Sequence, residues 1–338
     1  MKALLKTALI GVGMFALAST AQAAGGVCLI TKNNTNPFFV KMKEGAEAKA
    51  KELGVDFQAA AGKVDGDAAP QIEAIENCVG AGQKGILITA SNDSVIPALK
   101  AARAAGLLVI ALDTPIGDAE AADATFATDN FEAGILIGKW AAATLGPDGV
   151  KNAKIGMLDI SKDNISVDVA RDTGFLKGFG IEVPDLKVLG SESDARVIGH
   201  ESSGANPEGG LKSAENLLAK NPDMNVIYTI NEPAAEGAYQ GMKAAGKETQ
   251  ALIVSVDGGC PGVKSVTDGI IGATSMQFPL LMASLGVEAV AAFAKDGTKP
   301  KNSEGLSFTN TGVKLITDKP VEGVPSITSA EGSKICWG

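Results

Sequence analysis

The sequence predicts an α/β protein built of two doubly wound, Rossmann-like lobes. Short runs rich in Val, Ile and Leu alternate with helical patterns of about a dozen residues, which is typical of βαβ units around a parallel sheet. Most of these runs are apolar throughout, as expected for strands that helices cover on both faces. The alternation begins again near residue 130, so we expect two sheets.

In the first half of the chain, the alternation predicts five strands with helices between them. The first helix is expected to begin near Pro37, because proline is well tolerated as the first residue of a helix, and to end at Gly54. The predicted strands are 27–30, 55–59, 85–89, 107–112 and 125–127, and the further helices are 69–79 and 95–105.

The second half repeats this pattern and ends in a tail, 318–338, that is expected to be irregular. The predicted strands are 154–160, 225–230, 251–256, 272–276 and 313–317, and the helices are 131–145, 171–180, 210–219, 234–245 and 280–294. Polar residues follow the strands in both halves. We therefore expect two rows of polar strand ends to face a common cleft, as in a two-lobed ligand trap.

The composition argues against several classes of partner. The chain has 338 residues, enough for two ordinary domains, and 45% of them are hydrophobic. The formal net charge is −9, and the sequence contains no run of basic residues. Such an acidic chain is not expected to bind nucleic acid or an anionic membrane.

The first 23 residues have the pattern of a secretory signal peptide. Lys2 and Lys6 precede the apolar stretch 8–17, and Ala21-Gln22-Ala23 supplies the small-x-small pattern of a cleavage site. The apolar stretch is too short to span a bilayer. We expect cleavage after Ala23 and export, most simply to a bacterial periplasm.

Four cysteines, Cys28, Cys78, Cys260 and Cys336, could form two disulfides in an oxidising compartment, with three possible connectivities. We favour Cys28–Cys78 and Cys260–Cys336, because each pair stays in one half of the chain or ties down its tail. Buried free thiols are the alternative for some of them.

The stretch 31–39, TKNNTNPFF, places amides beside two aromatic rings where a strand gives way to a helix. Asn36-Pro37 predicts a turn, because proline restricts the residue before it to extended backbone. Rings such as Phe38 and Phe39 can cover the C–H face of a sugar, while asparagine amides meet its hydroxyls. The alternative is that Asn36-Pro37 only starts a helix and that both rings belong to the core.

Motifs for catalysis, metals and cofactors are missing from the sequence. The one histidine, His200, lies in a polar Gly/Ser-rich segment that is expected to be a solvated loop, and a second histidine ligand for a metal does not exist. Neither G-x-G-x-x-G after a strand nor a G-x-x-x-x-G-K-[ST] phosphate loop occurs. We expect no cofactor, no metal and no catalysis.

Seven motifs in chain order resemble the periplasmic sugar-binding proteins of the ribose-binding type, which feed ABC importers. They are NPFFVKMKEGA (36–46), VIALD (109–113), ATDN (127–130), RDTGF (171–175), NEPAAEGA (231–238), VDG (256–258) and TSMQFP (274–279). Within the family, the SSGANPEGG loop and the C-terminal KICWG look most like fructose-binding proteins.

The resemblance implies a set of residues that contact a sugar: Asn36, Phe38, Phe39, Asp113, Arg171, Asn231, Asp257 and Gln277. The chemistry of the residues agrees, since each carboxylate accepts from two hydroxyls and an arginine donates in a fixed fork. Structural roles are the alternative for each residue, for example as helix caps or as surface residues.

Several positions depart from the ribose binders. Thr114 stands in place of an arginine and Thr89 in place of an asparagine, with Asn92 nearby; Asn206 and Lys32 are further candidate ligands. Because mismatched hydroxyls leave buried partners unpaired, these changes favour a different sugar. We favour a ketohexose, fructose, with ribose, mannose, a polyol or a furanose signal as alternatives.

The resemblance also implies three hinge crossings, near residues 128–130, 277–279 and 309–312. The N-terminal lobe would comprise 24–128 with 278–309, and the C-terminal lobe and tail 129–277 with 310–338. A monomer that docks on an ABC transporter membrane permease is expected. Rival classes are the effector domain of a transcription regulator, which would need a helix-turn-helix, and an exported sugar-modifying enzyme with paired carboxylates.

Overall fold

Two six-stranded sheets organise the part of the chain that the structure describes. The computed structural model describes residues 25–338, and the predicted signal peptide and Ala24 lie outside these residues. The spatial order of the first sheet is β11 (Thr309–Asn310), β5 (Ala124–Ala127), β4 (Leu108–Leu112), β3 (Gly85–Ile88), β1 (Val27–Thr31) and β2 (Phe57–Ala61). That of the second sheet is β12 (Lys314–Ile316), β10 (Ala273–Met276), β9 (Leu252–Asp257), β8 (Val226–Thr229), β6 (Ile155–Asp159) and β7 (Val197–Ser202).

Both sheets have the same doubly wound topology. All neighbouring strands are parallel except β12, which pairs antiparallel with β10. The strand order reverses beside β1 in the first sheet and beside β6 in the second, and open α/β sheets form a ligand crevice at such a reversal, outside the carboxyl ends of the strands. The predicted fold class is confirmed.

Helices cover both faces of each sheet, and separate apolar clusters fill the two faces. They are α1 (Pro37–Leu53), α2 (Ala69–Gly80), α3 (Ile96–Ala104), α4 (Asn130–Lys151), α5 (Ser166–Phe179), α6 (Pro207–Lys220), α7 (Glu232–Ala244), α8 (Cys260–Thr267), α9 (Pro279–Asp296) and α10 (Ser329–Gly332). A 3₁₀ turn, Asp93–Val95, precedes α3. Within residues 25–338, none of the helices is both long enough and apolar enough to cross a membrane.

The chain passes between the two sheets three times: between β5 and α4, between β10 and α9, and between β11 and β12. We call the first sheet with its helices the first lobe and the second sheet with its helices the second lobe. At each crossing the chain leaves one sheet and enters the other. The residue boundaries predicted for the lobes remain a proposal.

Besides shifts in the ends of predicted elements, several segments differ from the sequence prediction. Residues Val197–Ser202, including His200, form the edge strand β7 instead of a solvated loop; the strand is half-buried and carries polar residues, so it lacks an apolar run. Residues Cys260–Thr267 form α8, which was not predicted. The tail contains the short helix α10 and a β-bridge between Gly259 and Trp337.

Two disulfides connect elements within the lobes. Cys28 on β1 joins Cys78 on α2, and Cys260 at the start of α8 joins Cys336 in the tail. The second link holds a segment with little regular structure against the second lobe, which lowers the entropy that this segment gains on unfolding.

Glycines allow the backbones of α4 and α5 to touch. Gly134 and Gly138 on α4 face α5, and a Cβ on either would lie against the carbonyl oxygen of Arg171 or of Phe175, respectively. A Cβ on Gly174 of α5 would likewise lie against the backbone of α4. The close approach fixes the helix that carries Arg171 relative to the helix that begins at the hinge.

This contact predicts that Gly138→Ala destabilises the protein. The added methyl group must push α5 away, and overpacking of this kind typically costs about 1–3 kcal/mol. Gly80→Ala at the end of α2 is the matched control, because a Cβ there meets no atom within 4 Å; helical alanine is favoured over glycine by roughly 0.5–1 kcal/mol. Urea denaturation followed by circular dichroism measures both, and equal stability of the two variants would contradict the packing argument.

Candidate ligand-binding site

The carboxyl ends of the strands of both lobes surround a small cavity. It is lined by Lys32, Asn36, Phe38, Phe39, Asp65 and Asp113 from the first lobe, and by Ile160, Val167, Arg171, Ala205, Ile230, Asn231, Asp257 and Gln277 from the second lobe and the hinge. Its volume is about 30 Å³, whereas ligand pockets generally hold roughly 300–1,000 Å³. The lobes must therefore separate, or the side chains turn, to admit a ring-sized molecule.

Wider parts of the cleft adjoin this cavity. One, of about 470 Å³, shares Asn36, Asp65 and Asp257 with it. Another, of about 610 Å³, shares Asp65 and Ile160. The small cavity is thus the narrow part of a continuous cleft between the lobes.

The aromatic wall of the cavity comes from the start of α1. The side chain of Asn36 caps this helix by accepting from the backbone N–H of Phe38 at 3.0 Å. The rings of Phe38 and Phe39 are almost fully buried and meet edge to face, with centroids 5.5 Å apart. The rings belong to the core of the first lobe and also line the cavity, so a core role does not exclude contact with a ligand.

Charged groups of the first lobe stand beside these rings. Lys32 follows β1 and Asp113 follows β4, and both are about 4% exposed. The hydroxyl of Thr114 donates to Oδ2 of Asp113 at 2.9 Å. Burial raises the pKa of Asp65, the positive charge of Lys32 opposes this shift, and the negative charge of Asp113 adds to it.

Arg171 of α5 lies between carboxylates of the two lobes. Its Nη2 is 3.8 Å from Oδ1 of Asp113, and its Nη1 is 3.9 Å from Oδ1 of Asp257. Nε donates to Oδ1 of Asn130 at 2.7 Å, and Nη1 donates to the carbonyl of Ile230 at 3.0 Å, which holds the guanidinium in place. The distances to the carboxylates exceed the hydrogen-bond range, so these groups keep donors and acceptors for a ligand. We call Asp113, Arg171 and Asp257 the interlobe triad.

Burial determines the protonation of Asp257. It raises the pKa of this carboxyl to about 7, against the positive charge of Arg171 and a hydrogen bond from Gln277 at 3.0 Å. Behind it, burial and the charge of Asp257 also raise the pKa of Glu232. The Glu232 carboxylate accepts from the backbone N–H groups of Gly258 and Gly259, which shapes the loop after β9.

Strained backbone is concentrated at the cavity. Within residues 25–338, three residues other than glycine have positive φ: Asp113 (61°), Ala205 (56°) and Asp257 (145°). All three line the cavity. Such conformations cost roughly 1–3 kcal/mol each and persist where the surrounding structure imposes them, often at functional sites.

Several buried acceptors at the cavity are not matched by protein donors. Asp65 Oδ1, Asp113 Oδ1 and Gln277 Oε1 have no hydrogen-bond partner among the described residues. Buried polar groups are normally paired, so these three atoms are suited to accept from hydroxyl or amine donors of a ligand. Together with the Arg171 guanidinium and the Lys32 ammonium, they can serve a ligand that both donates and accepts.

Four of the predicted ligand residues lie outside the cavity lining. The hydroxyl of Thr89 accepts from the backbone N–H of Lys32, and Thr114 orients Asp113. Asn92 caps the 3₁₀ turn and Asn206 caps α6, and both line the wider cleft. These four residues thus lie beside the small cavity and not in its lining, and their side chains bond to the backbone or to a neighbouring residue.

Two residues of this region were not predicted from the sequence. Asp65 lies in the loop after β2, and the predicted strand ended two residues too early, which hid this strand end. Trp337 lies in the tail, where its ring meets Phe38 edge to face at 5.5 Å and its Nε1 donates to the carbonyl of Gln277 at 2.9 Å. The only local sign that Trp337 is held in the structure was its position directly after Cys336.

Known proteins resemble this chain in sequence and in fold. Residues 27–299 match the family model of the periplasmic binding protein domain. The chain is 32% identical over 273 residues to the ribose import binding protein of Haemophilus influenzae, covering 80% of this chain and 86% of that protein. It is 27% identical over 292 residues to the D-allose-binding periplasmic protein of Escherichia coli (strain K12), covering 83% and 88% of the two chains.

Solved structures show the same two-lobed fold. An ABC transporter solute binding protein from Agrobacterium vitis, with bound D-fucose, superimposes with a TM-score of 0.75 at 24% identity. The match covers 88% of this chain and 97% of that one. At this identity the likeness concerns the fold alone.

The raised pKa of Asp257 predicts how Asp257→Asn changes stability with pH. The folded protein keeps this carboxyl protonated up to about pH 7, whereas the unfolded chain releases the proton near pH 3.8. The free energy of unfolding of the wild type should therefore fall as pH rises from about 3.8 to about 7. The variant has no carboxyl at this position, so its free energy of unfolding should not fall for this reason.

Urea denaturation at pH 5 and pH 7 measures this effect. The stability of Asp257→Asn relative to wild type should improve by roughly 2–3 kcal/mol between the two pH values, since one pKa unit corresponds to about 1.4 kcal/mol. The exposed Asp223→Asn is the control and should show no such change. A constant difference between Asp257→Asn and wild type would refute the assignment.

Proposed function

This chain belongs to the family of periplasmic binding proteins, and we propose that it captures one monosaccharide between its lobes and delivers it to an ABC permease. It is a binding protein and not an enzyme, like the import binding proteins that it resembles. The rival hypothesis of a sugar-modifying enzyme is thereby removed.

The interlobe triad is the observation that carries the proposal. Asp113 belongs to the first lobe, and Arg171 and Asp257 belong to the second, so a ligand held by all three touches both lobes at once. Contacts to both lobes exist only in the closed form, and a ligand that makes them favours closure. Charge-assisted hydrogen bonds of this kind are roughly twice as strong as neutral ones.

The other groups at the cavity match the surface of a sugar. The faces of a sugar ring present C–H groups, which pack well against Phe38 and Phe39. Hydroxyls donate and accept, so they can satisfy the unpaired acceptors on Asp65, Asp113 and Gln277 while accepting from Arg171.

D-Fructose is our first candidate among the sugars. Support comes from the sequence, whose SSGANPEGG loop and KICWG end look most like fructose-binding proteins. Lys32 and Asp65 add a cation and a carboxylate to the cavity, which changes the set of hydroxyls that the site can pair. Ribose, mannose, a polyol or a furanose signal are the alternatives within this class.

The remaining proposals concern where the protein works. We place it in the periplasm after removal of residues 1–23, as a monomer that docks on a membrane permease. The lobes would close by rotation about the three crossings, so the permease would meet a different surface in the loaded and unloaded forms.

Calorimetric titration with D-fructose, D-ribose, D-mannose and D-allose tests the function. We expect one sugar per chain, and Arg171→Ala should weaken its binding by at least 100-fold, because truncating one partner of a buried charged pair typically costs about 2–5 kcal/mol. Arg196→Ala removes the same side chain from a pair with Asp194 remote from the cavity and should leave affinity unchanged. A folded wild type that binds none of a wider panel of sugars and polyols would overturn the proposal, and tight binding of a sugar other than fructose would overturn only the choice of sugar.

The contact between Trp337 and Phe38 predicts that the tail contributes to affinity. Trp337→Ala removes an edge-to-face pair worth about 0.5–1.5 kcal/mol and a hydrogen bond to Gln277, so sugar affinity should fall by roughly tenfold. Ile335→Ala is the control, since this tail residue is 42% exposed. If both variants bind as tightly as wild type, the tail has no part in the closed form.

A further inference from the structure

A second group of polar side chains lies behind Arg171, in the second lobe. Asp159 ends β6, His200 lies on β7, and Asp172 lies on α5, directly after Arg171. Parallel pairing places His200 beside Met157, so His200 and Asp159 lie on the same face of the sheet. This face packs against α5 through Phe175 and Tyr228, whose ring centroids are 5.1 Å apart.

The donor atoms of these three residues converge. His200 Nδ1 is 2.8 Å from Oδ2 of Asp159 and 3.6 Å from Oδ2 of Asp172. One ligand atom from each of the three residues can be chosen so that all lie within 4.8 Å of one another. On the other side of the ring, Nε2 bonds to Oε1 of Glu192 at 2.9 Å, and a carboxylate at the second nitrogen is the usual way to orient a metal-binding histidine.

Unpaired buried atoms point to a ligand at this position. Asp172 is fully buried, and neither of its carboxylate oxygens has a hydrogen-bond partner among residues 25–338. The hydroxyl of Tyr228 on the adjacent strand β8 is also fully buried and has no partner there. Asp168, one turn before Asp172 on α5, has one unpaired oxygen as well. A buried carboxylate needs either a bound proton or a cation beside it, and a metal ion would supply the cation.

We propose that Asp159, Asp172 and His200 bind one divalent transition-metal ion, for which Zn²⁺ is the best match. Imidazole with two carboxylates is a donor set that Zn²⁺ accepts, at metal–ligand distances of about 2.0–2.2 Å. Ca²⁺ and Mg²⁺ prefer sites made of oxygen alone. The sequence predicted no metal site because it offers no second histidine, but this site needs only one.

The ion can reach the site from solvent, and it can affect the sugar cavity through the position of α5. The His200 side chain is 22% exposed, and β7 is the edge strand of the sheet. A bound ion would tie α5 to β6 and β7 and so fix the helix position next to Arg171. The role is structural, since none of the three residues lines the sugar cavity.

Zinc titration of the metal-stripped full-length protein tests the inference. After chelator treatment and dialysis, Zn²⁺ should bind with one ion per chain and raise the melting temperature by several degrees, since a ligand selective for the folded state stabilises it. His200→Gln and Asp172→Asn should each lose at least tenfold in Zn²⁺ affinity, whereas Asp194→Asn, whose carboxylate pairs with Arg196 outside the cluster, should not. Ca²⁺ at the same concentrations should have no comparable effect.

Co²⁺ provides a readout that does not depend on stability. Bound to wild type through one nitrogen and two oxygens, it should give visible d–d absorption that Zn²⁺ displaces and that Asp172→Asn lacks. The inference is overturned if wild type shows no zinc-dependent shift, if all variants bind Zn²⁺ equally, or if Ca²⁺ binds in preference. Zinc binding is measured here without sugar, so this inference and the proposed function can fail separately.

Discussion

The electrostatics of the cleft depend on one buried guanidinium. Asp113 and Asp257 belong to different lobes, and once Asp257 loses its proton, near pH 7, the two buried carboxylates would repel each other without Arg171 between them. The guanidinium is anchored through Asn130 and the carbonyl of Ile230, so its charge stays where the two lobes meet. The guanidinium therefore offsets the negative charge of the two carboxylates beside it, as the Lys32 ammonium does for Asp65.

Helix packing and helix caps hold Arg171 and the edge of the cleft in position. The glycine contact between α4 and α5 sets the position of Arg171 relative to the hinge, and the caps on α1, α6 and α7 start helices at the edge of the cleft. The side-chain oxygens of the asparagines at these caps accept hydrogen bonds from backbone N–H groups, so their amide nitrogens can donate to other partners. Asn231 uses its amide to hold the carbonyl of Ala205 at 3.1 Å, in the strained loop beside the cavity. Strain and capping thus both shape the cleft.

Much of this fold was predictable because its signals are local. Strands covered by helices must be apolar throughout, and runs such as 85–89 and 107–112 show this directly. The edge strand β7 was missed for the opposite reason: it is half-buried, so its residues need not be apolar. The ring of residues at the cavity could be named only through the resemblance of motifs, since nothing in spacing alone brings Asp113 to Arg171. Trp337 shows the limit, because its partner Phe38 lies 299 residues earlier in the chain and no local pattern records their contact.

The path of the tail has a practical consequence for handling this protein. The segment is fastened to the second lobe by Cys336, and its tryptophan lodges against the first lobe, so it forms a fourth, non-covalent tether beside the three covalent crossings. Any opening of the cleft must slide or release that ring. Gly338 follows immediately and is exposed, so an affinity tag fused there would sit beside the moving joint.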